Sequence, residues 1–304
     1  MSDRPADGRQ RTAALDGASM CPVCGAADVQ RVYDFVDFFV LSCRRCGNGW
    51  RSNMYSRDSI MELYSSDEYA RHPYFAVSDD DIRAQRIPRL RNYERALAYV
   101  ESIAGIGTLL DVGCGAGAFL SIATARGWAG EGVELSPTLS KVCERTTQVP
   151  VKTGRFEEVD LPEGRYSFVT LWDIIEHVID PVACIAKAAS LLRPGGIVLF
   201  CTPDEDSLLA RTGWALYKLT AGRYRYPALA LHPAAHTYFF SRTGFRRMLE
   251  RQGLTVLRSY SQEAYFDHSP LASRAQKLAI ALIERLASVR DARYESVFLA
   301  RSAR

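Results

Sequence analysis

At 304 residues the chain can hold one large domain or two of ordinary size, and its 47% hydrophobic content supports a sizeable core and excludes general disorder. A formal net charge of +3 is too small to signal a nucleic-acid partner by itself. Apolar runs such as Gly195 to Phe200 are strand-length against the roughly 20 residues a membrane span needs, so no membrane partner is expected.

Residues 1–20 are polar, lack an apolar signal core and are expected to be a disordered leader, which suits a cytoplasmic, reducing setting. Residues 21–52 then carry Cys21-Pro-Val-Cys24-Gly and Cys43-Arg-Arg-Cys46-Gly around a strand-like stretch, Val32 to Ser42. Two such knuckles about 20 residues apart bring four thiolates onto one tetrahedral ion, and the glycine after each pair permits the tight turn. A redox function needs only one such pair. Cys21, Cys24, Cys43 and Cys46 are therefore predicted zinc ligands, and four cysteines leave no open coordination position, so the zinc is expected to be structural. Zinc ribbons also bind nucleic acid or protein, and Arg31, Arg44, Arg45 and Arg51 supply positive charge. Asp34, Asp37, Phe35, Phe38 and Phe39 suit packing better, so no nucleic-acid partner is expected. The remaining cysteines, Cys114, Cys143, Cys184 and Cys201, stand singly and read as small buried residues.

Residues 53–104 are expected to form a helical and aromatic linker and cap, with Tyr55, Tyr64, Tyr69, Tyr74 and Phe75 early in it. From Ser78 to Ser102 apolar residues recur at helical spacing, as at Leu90, Tyr93, Leu97 and Val100, behind Asp79, Asp80 and Asp81. Pro88 is expected to kink this helix or divide it. Residues 105–304 alternate strand and helix. Strands are predicted at Thr108–Asp111, Gly130–Glu134, Val149–Thr153, Tyr166–Trp172, Gly196–Cys201, Leu254–Ser261 and Glu295–Ala300. Helices are predicted at Ala116–Ala125, Pro137–Thr146, Pro181–Leu192, Thr243–Gln252 and Leu271–Ser288, with an aromatic, basic insert at Trp214–His236. That order implies an α/β fold: a doubly wound, mostly parallel, seven-stranded sheet with a small N-terminal zinc ribbon.

The sequence Asp111-Val-Gly-Cys-Gly-Ala-Gly117 follows the first of these strands. Its glycines let the chain turn sharply and approach a nucleoside-containing cofactor, whose site also faces the N–H groups opening the next helix. Glycine spacing alone would also satisfy a dinucleotide pattern. Asp111 before the turn, however, suits a cationic amino-acid ligand better than a pyrophosphate, and Glu134 ends the next strand where it can accept hydrogen bonds from ribose hydroxyls. Together with Gly132-Val-Glu-Leu-Ser136 and Leu191-Leu-Arg-Pro-Gly-Gly196, this set closely resembles class I S-adenosylmethionine-dependent methyltransferases over residues 80–265. The resemblance implies that Gly113, Gly115 and Gly117 approach the methionine part, Glu134 holds the ribose, Arg155 or Phe156 flanks adenine, and Asp111, Cys114, Leu135, Trp172 and Asp173 complete the cofactor set. Ser167 departs from it, since an aspartate usually opens the fourth strand there.

Leu171-Trp-Asp-Ile-Ile-Glu-His-Val-Ile-Asp-Pro181 follows that strand. Its Asp173, Glu176 and His177 share one face of a helical turn, where they would orient the turn, supply a general base or, as the lesser alternative, hold a divalent cation. The segment resembles the one in ubiquinone-biosynthesis O-methyltransferases, and that resemblance makes His177 a candidate base. A hydroxyl acceptor must lose its proton to a nearby base, and His177, His232 and His236 are the candidates, with Glu176 in support. His236 precedes the aromatic run Thr237-Tyr-Phe-Phe, which in the family pattern returns to the site. The insert, taken as residues 205–240, is expected to build the acceptor pocket, and Arg223 and Arg225 would suit an anionic group on the acceptor.

A ribbon ahead of such a core is similar to enzymes of bacterial surface-sugar and natural-product pathways. The deoxysugar C-methyltransferases carry one too but continue into a large second domain, whereas this chain ends at Arg304. The expectation is O-methylation of a small molecule such as a sugar, phenol or polyketide-like compound. C- or N-methylation of a similar molecule stands second, and RNA methylation with the ribbon holding the nucleic acid third. Oligomeric state is left open.

Overall fold

The computed structural model describes residues 20–54, 56–71, 75, 88–233, 235–264 and 273–302. Most of the expected leader, Tyr55, Tyr74 and the three aspartates at 79–81 lie outside the described residues.

The ribbon is built on strands β1 (Val29–Asp34), β2 (Phe39–Cys43) and β3 (Gly49–Arg51), paired antiparallel in that order. The stretch expected as one strand over Val32–Ser42 is instead a hairpin. Asp34 pairs with Phe39 and the Phe35 N–H donates to the Phe38 carbonyl at 2.9 Å, so the chain reverses within those residues. Two short helices follow, α1 (Arg57–Ser65) and α2 (Asp67–Ala70), then α3 (Pro88–Ala104). Among the described residues α3 begins at Pro88, the residue at which the sequence was expected to kink or divide the helix. The earlier part of the expected helix lies outside the described residues.

From there β4 (Thr108–Val112), α4 (Ala118–Ala125), β5 (Ala129–Glu134), α5 (Pro137–Thr147), β6 (Val151–Thr153), β7 (Tyr166–Trp172), α6 (Pro181–Ser190) and β8 (Leu192–Pro203) alternate as the sequence implies. The insert is itself helical, with α7 (Leu208–Leu219) and α8 (Tyr226–Leu231), and ends in the two-residue strand β9 (Tyr238–Phe239). Helix α9 (Arg242–Arg251), β10 (Leu254–Gln262), α10 (Arg274–Ser288) and β11 (Glu295–Ser302) complete the described chain. Side chains start several helices where the sequence signals them: Ser136 and Asp180 each stand before a proline and accept a backbone N–H at the N-cap, worth about 1 kcal/mol apiece.

The large sheet runs β10-β11-β8-β7-β4-β5-β6, so it is seven-stranded. The pairs among β4 to β8 are parallel, and only β11 runs against its neighbours β8 and β10. Period-two alternation sorts its side chains onto two faces. Leu109, Phe168, Ile197, Leu199 and Val297 pack with Leu90 and Leu97 of α3 and Phe119 of α4. Leu110, Val169, Leu171, Val198 and Phe298 pack with Ile185 of α6 and Phe245 of α9. The second face also takes in Leu41, Trp50 and the ribbon cysteines, so ribbon and sheet share one core. The strand order reverses at β4, between β5 and β7, and the crevice at this switch point is where an α/β sheet holds ligands. No described helix is long and apolar enough to cross a membrane.

Candidate active site

A cavity of about 610 Å³ opens at the carboxyl ends of β4, β5 and β7. The glycine loop forms one wall. Gly113, Gly115 and Gly117 have φ of 72°, 56° and 91°, values a side chain strains to adopt. A Cβ on Gly113 would meet Ile174 Cδ1 at 2.1 Å, so the loop also needs glycine to lie against the turn after β7. Gly117 does not line the cavity. It caps α4 and packs against Thr147 and Cys143, so it shapes the loop from behind. The other thirteen residues expected from the sequence to bind the cofactor or carry the chemistry do line it, with Asp173 and Trp172 at the end of β7 and Arg155 and Phe156 beyond β6.

Two buried carboxylates face this wall. Glu134 accepts the Gly115 N–H through Oε2 and the Ser136 N–H through Oε1, both at 2.8 Å. Burial raises its pKa against the lowering pull of those donors. Each oxygen keeps a second lone pair, which is what two ribose hydroxyls need. Asp111 is 2% exposed and accepts the Thr170 hydroxyl at 2.7 Å. Burial, with the Glu134 charge nearby, pushes it up to about 8. The chain thus buries negative charge where an ammonium or sulfonium cation would complement it.

The opposite wall brings together Glu176, His177 and His236, whose ligating atoms all lie within 4.8 Å of one another. The cation grouping considered from the sequence is rearranged here: Asp173 falls instead with Cys201 and Glu295. Its φ of 53° turns the chain sharply after β7. His177 Nδ1 lies 2.9 Å from the Ala235 carbonyl, which can only accept, so Nδ1 carries the proton and Nε2 keeps its lone pair. Burial pushes His177 down to about 4 and holds His236 well below the usual histidine range, so both rings are neutral at physiological pH. The rings meet edge-on with centroids 4.7 Å apart. Glu176 is 1% exposed; Thr202 donates to its Oε2 at 3.1 Å, while Oε1 has no hydrogen-bond partner among the described residues and lies 3.9 Å from His177 Nε2. Burial, then the Asp173 charge, hold Glu176 far above the carboxylate range.

His232 is not part of this site. It is fully buried against Tyr33 and Phe239, and its Nε2 lies 3.4 Å from Glu205, so it joins the insert to the ribbon. Sequence reasoning missed Tyr64, Tyr69 and Phe75, which line the cavity and stack in series toward His177. It also missed Glu295, a cavity-lining carboxylate on β11 held by Gln262 at 2.9 Å. The aromatic richness of residues 53–75 was a signal for the first group; nothing local marks Glu295.

At the ribbon, Cys21 and Cys46 sulfurs are 3.7 Å apart and those of Cys24 and Cys43 3.6 Å. A tetrahedron with zinc–sulfur bonds of about 2.3 Å requires sulfurs about 3.8 Å apart, so the four thiols fit zinc.

The profile of the family described as "Methyltransferase domain" matches residues 81–259, and the chain belongs to that family. Ubiquinone biosynthesis O-methyltransferase of Xanthomonas campestris pv. campestris is 36% identical over 137 residues, which are 43% of this chain and 54% of that protein. The enzyme of the same name from Thiobacillus denitrificans is 32% identical over 129 residues, 39% of this chain and 56% of that protein. The chain therefore matches about half the length of these curated relatives. Among solved structures, magnesium protoporphyrin IX methyltransferase from Synechocystis PCC 6803 with bound SAH superposes with a TM-score of 0.56 at 14% identity, over 82% of this chain and 100% of that one. A SAM-dependent methyltransferase from Archaeoglobus fulgidus gives 0.51 at 16% identity, over 78% and 100%. The fold is that of the S-adenosylmethionine-dependent methyltransferases.

Proposed function

We propose that the chain transfers the methyl group of S-adenosylmethionine to a hydroxyl oxygen of a small molecule, a sugar, phenol or natural-product intermediate, and releases S-adenosylhomocysteine. The observation that carries the oxygen acceptor is the His177 ring, which lines the cavity, is neutral and has its Nδ1–H held by the Ala235 carbonyl, so that Nε2 keeps its lone pair. When bound, the cofactor supplies an electrophilic methyl on a sulfonium. Gly113, Cys114 and Gly115 receive its amino-acid part, Asp111 balances its positive charge, Glu134 and Leu135 hold the ribose, and Arg155, Phe156, Trp172 and Asp173 enclose the rest. His177 Nε2 takes the hydroxyl proton as the oxygen–methyl bond forms and the sulfur–methyl bond breaks. His236 and Glu176 wall off water and orient the acceptor. Most of the acceleration then comes from alignment, with the base adding roughly a hundredfold or more.

The ribbon's zinc is structural in this reading. Arg44 pairs with Gln30 and Asp28, Arg31 with Asp34, and Arg51 is 4% exposed, which offsets part of the ribbon's positive charge and accords with a small acceptor over RNA. The division into ribbon (21–52), cap (53–104) and catalytic unit (105–304) follows the same reading. The test is His177→Asn. With a panel of phenols and sugars read as S-adenosylhomocysteine release, turnover should fall about a hundredfold or more while S-adenosylhomocysteine affinity by calorimetry stays within about twofold. Unchanged turnover would remove the base and favour C- or N-methylation of a similar acceptor, which needs no deprotonated hydroxyl.

A further inference from the structure

The ribbon and the histidine pair are joined by backbone. Strand β9 is the fourth strand of the ribbon sheet, pairing with β3 so that Gly49 faces Phe239 and Trp50 faces Tyr238. The Arg51 N–H donates to the Thr237 carbonyl at 3.0 Å, and the Thr237 and Tyr238 N–H groups both donate to the Glu176 carbonyl, at 2.8 and 3.1 Å. His236 thus sits between Ala235, whose carbonyl fixes the His177 ring, and Thr237, which the ribbon holds on one side and Glu176 on the other. Beyond β9 the contact continues. The side chain of Asn48, fully buried, accepts the Ser241 N–H at 3.3 Å, and a Cβ on Gly244 would lie 2.4 Å from the Cys46 carbonyl oxygen, so α9 abuts the second knuckle directly. Asn48 follows that knuckle by two residues, and its place depends on the turn that Cys43 and Cys46 make around the ion.

We infer that the ribbon is a positioning element of the acceptor site: the zinc-held knuckle, acting through Asn48 and strand β3, sets the segment Ala235–Thr237 and with it His177 and His236. Asn48 is a positioning residue and touches no reacting group. The glycine loop and Glu134 of the cofactor half are carried by β4 and β5, which pair with neither β3 nor β9. Zinc in this chain is then coupled to the acceptor chemistry rather than to recruitment of a separate partner. The inference takes the two histidines as the acceptor-facing pair from the proposed function.

The experiment uses the full chain and needs no acceptor. The chain has five histidines, whose ring resonances can be assigned by single substitutions and followed by NMR with pH. In the zinc-loaded protein the His177 and His236 rings should titrate well below the ordinary value of about 6.5. Stripping zinc with a chelator, or Asn48→Ala in zinc-loaded protein, should move both rings toward that value. S-adenosylhomocysteine affinity should stay within about twofold in each case, a margin well under 1 kcal/mol. Rings that do not respond to either perturbation overturn the inference. So does loss of cofactor affinity in step with the ring shifts in Asn48→Ala, which would mark general unfolding instead. Should the rings respond while His177→Asn leaves turnover intact, the base reading falls and the coupling stands.

Discussion

Asp111→Asn should abolish a pH dependence of cofactor binding that the buried carboxyl imposes on the natural chain. With its pKa near 8, Asp111 is about 1% ionised at pH 6, about 10% at pH 7 and about half at pH 8. If the ionised form is the one that accepts the ligand's ammonium, apparent affinity scales with that fraction. Affinity should therefore rise about 50-fold from pH 6 to pH 8, or about 2.3 kcal/mol, and level off above. Isothermal calorimetry with S-adenosylhomocysteine, repeated in buffers of different ionisation heat, reads both the affinity and nearly one proton released per ligand at pH 7. Stability moves the other way in the ligand-free chain. A carboxyl raised above its unfolded value of about 3.9 contributes stability that is fully present below that pH and lost as pH rises through 8. The ligand-free Tm should fall between pH 6 and 8, and that of the S-adenosylhomocysteine complex should not. A flat affinity profile in the natural chain, or the same slope in Asp111→Asn, would refute the reasoning.

Gly115→Val places a β-branched side chain at φ of 56°, with its Cβ 3.1 Å from Phe75, and should eliminate measurable S-adenosylhomocysteine binding while the zinc content by metal analysis stays at one per chain. The His232–Glu205 pair predicts a pH-dependent stability. Burial opposes protonation of His232, but the Glu205 charge, the hydrogen bond to Glu205 and that to the Ala228 carbonyl together outweigh it, and the net shift is upward. That contribution is present below the unfolded histidine value of about 6.5 and lost as pH rises through the folded one. Glu205→Gln should then lower stability, measured by denaturant unfolding, at pH 6 and do so distinctly less at pH 9.

Much of this was legible in the chain because the signals are local. The left-handed backbone at 113, 115 and 117 favours glycine, two close cysteine pairs fit a shared ion, and Ser136-Pro and Asp180-Pro cap the helices they precede. The alternation of strand and helix from Thr108 to Cys201 leaves little choice but a parallel sheet with its switch point at β4. Even the Val32–Ser42 misreading was local: an apolar stretch gives no sign of the reversal at Phe35–Phe38 until Phe39 pairs back on Asp34.

Contacts between distant residues are different, because no spacing encodes them. His232 and His236 look alike in the sequence, four residues apart in one insert. Tertiary packing buries the first against Tyr33 with Glu205 as partner and sets the second beside His177. Glu295 reaches the cavity only because β11 inserts between β8 and β10. By itself the sequence determined the fold and marked out the glycine loop and the four clustered cysteines, each a property of a short stretch with its own stereochemistry. Which histidines line the cavity, and that the ribbon's fourth strand comes from the insert beside them, was decided only when the sheets closed and burial chose among chemically equivalent side chains.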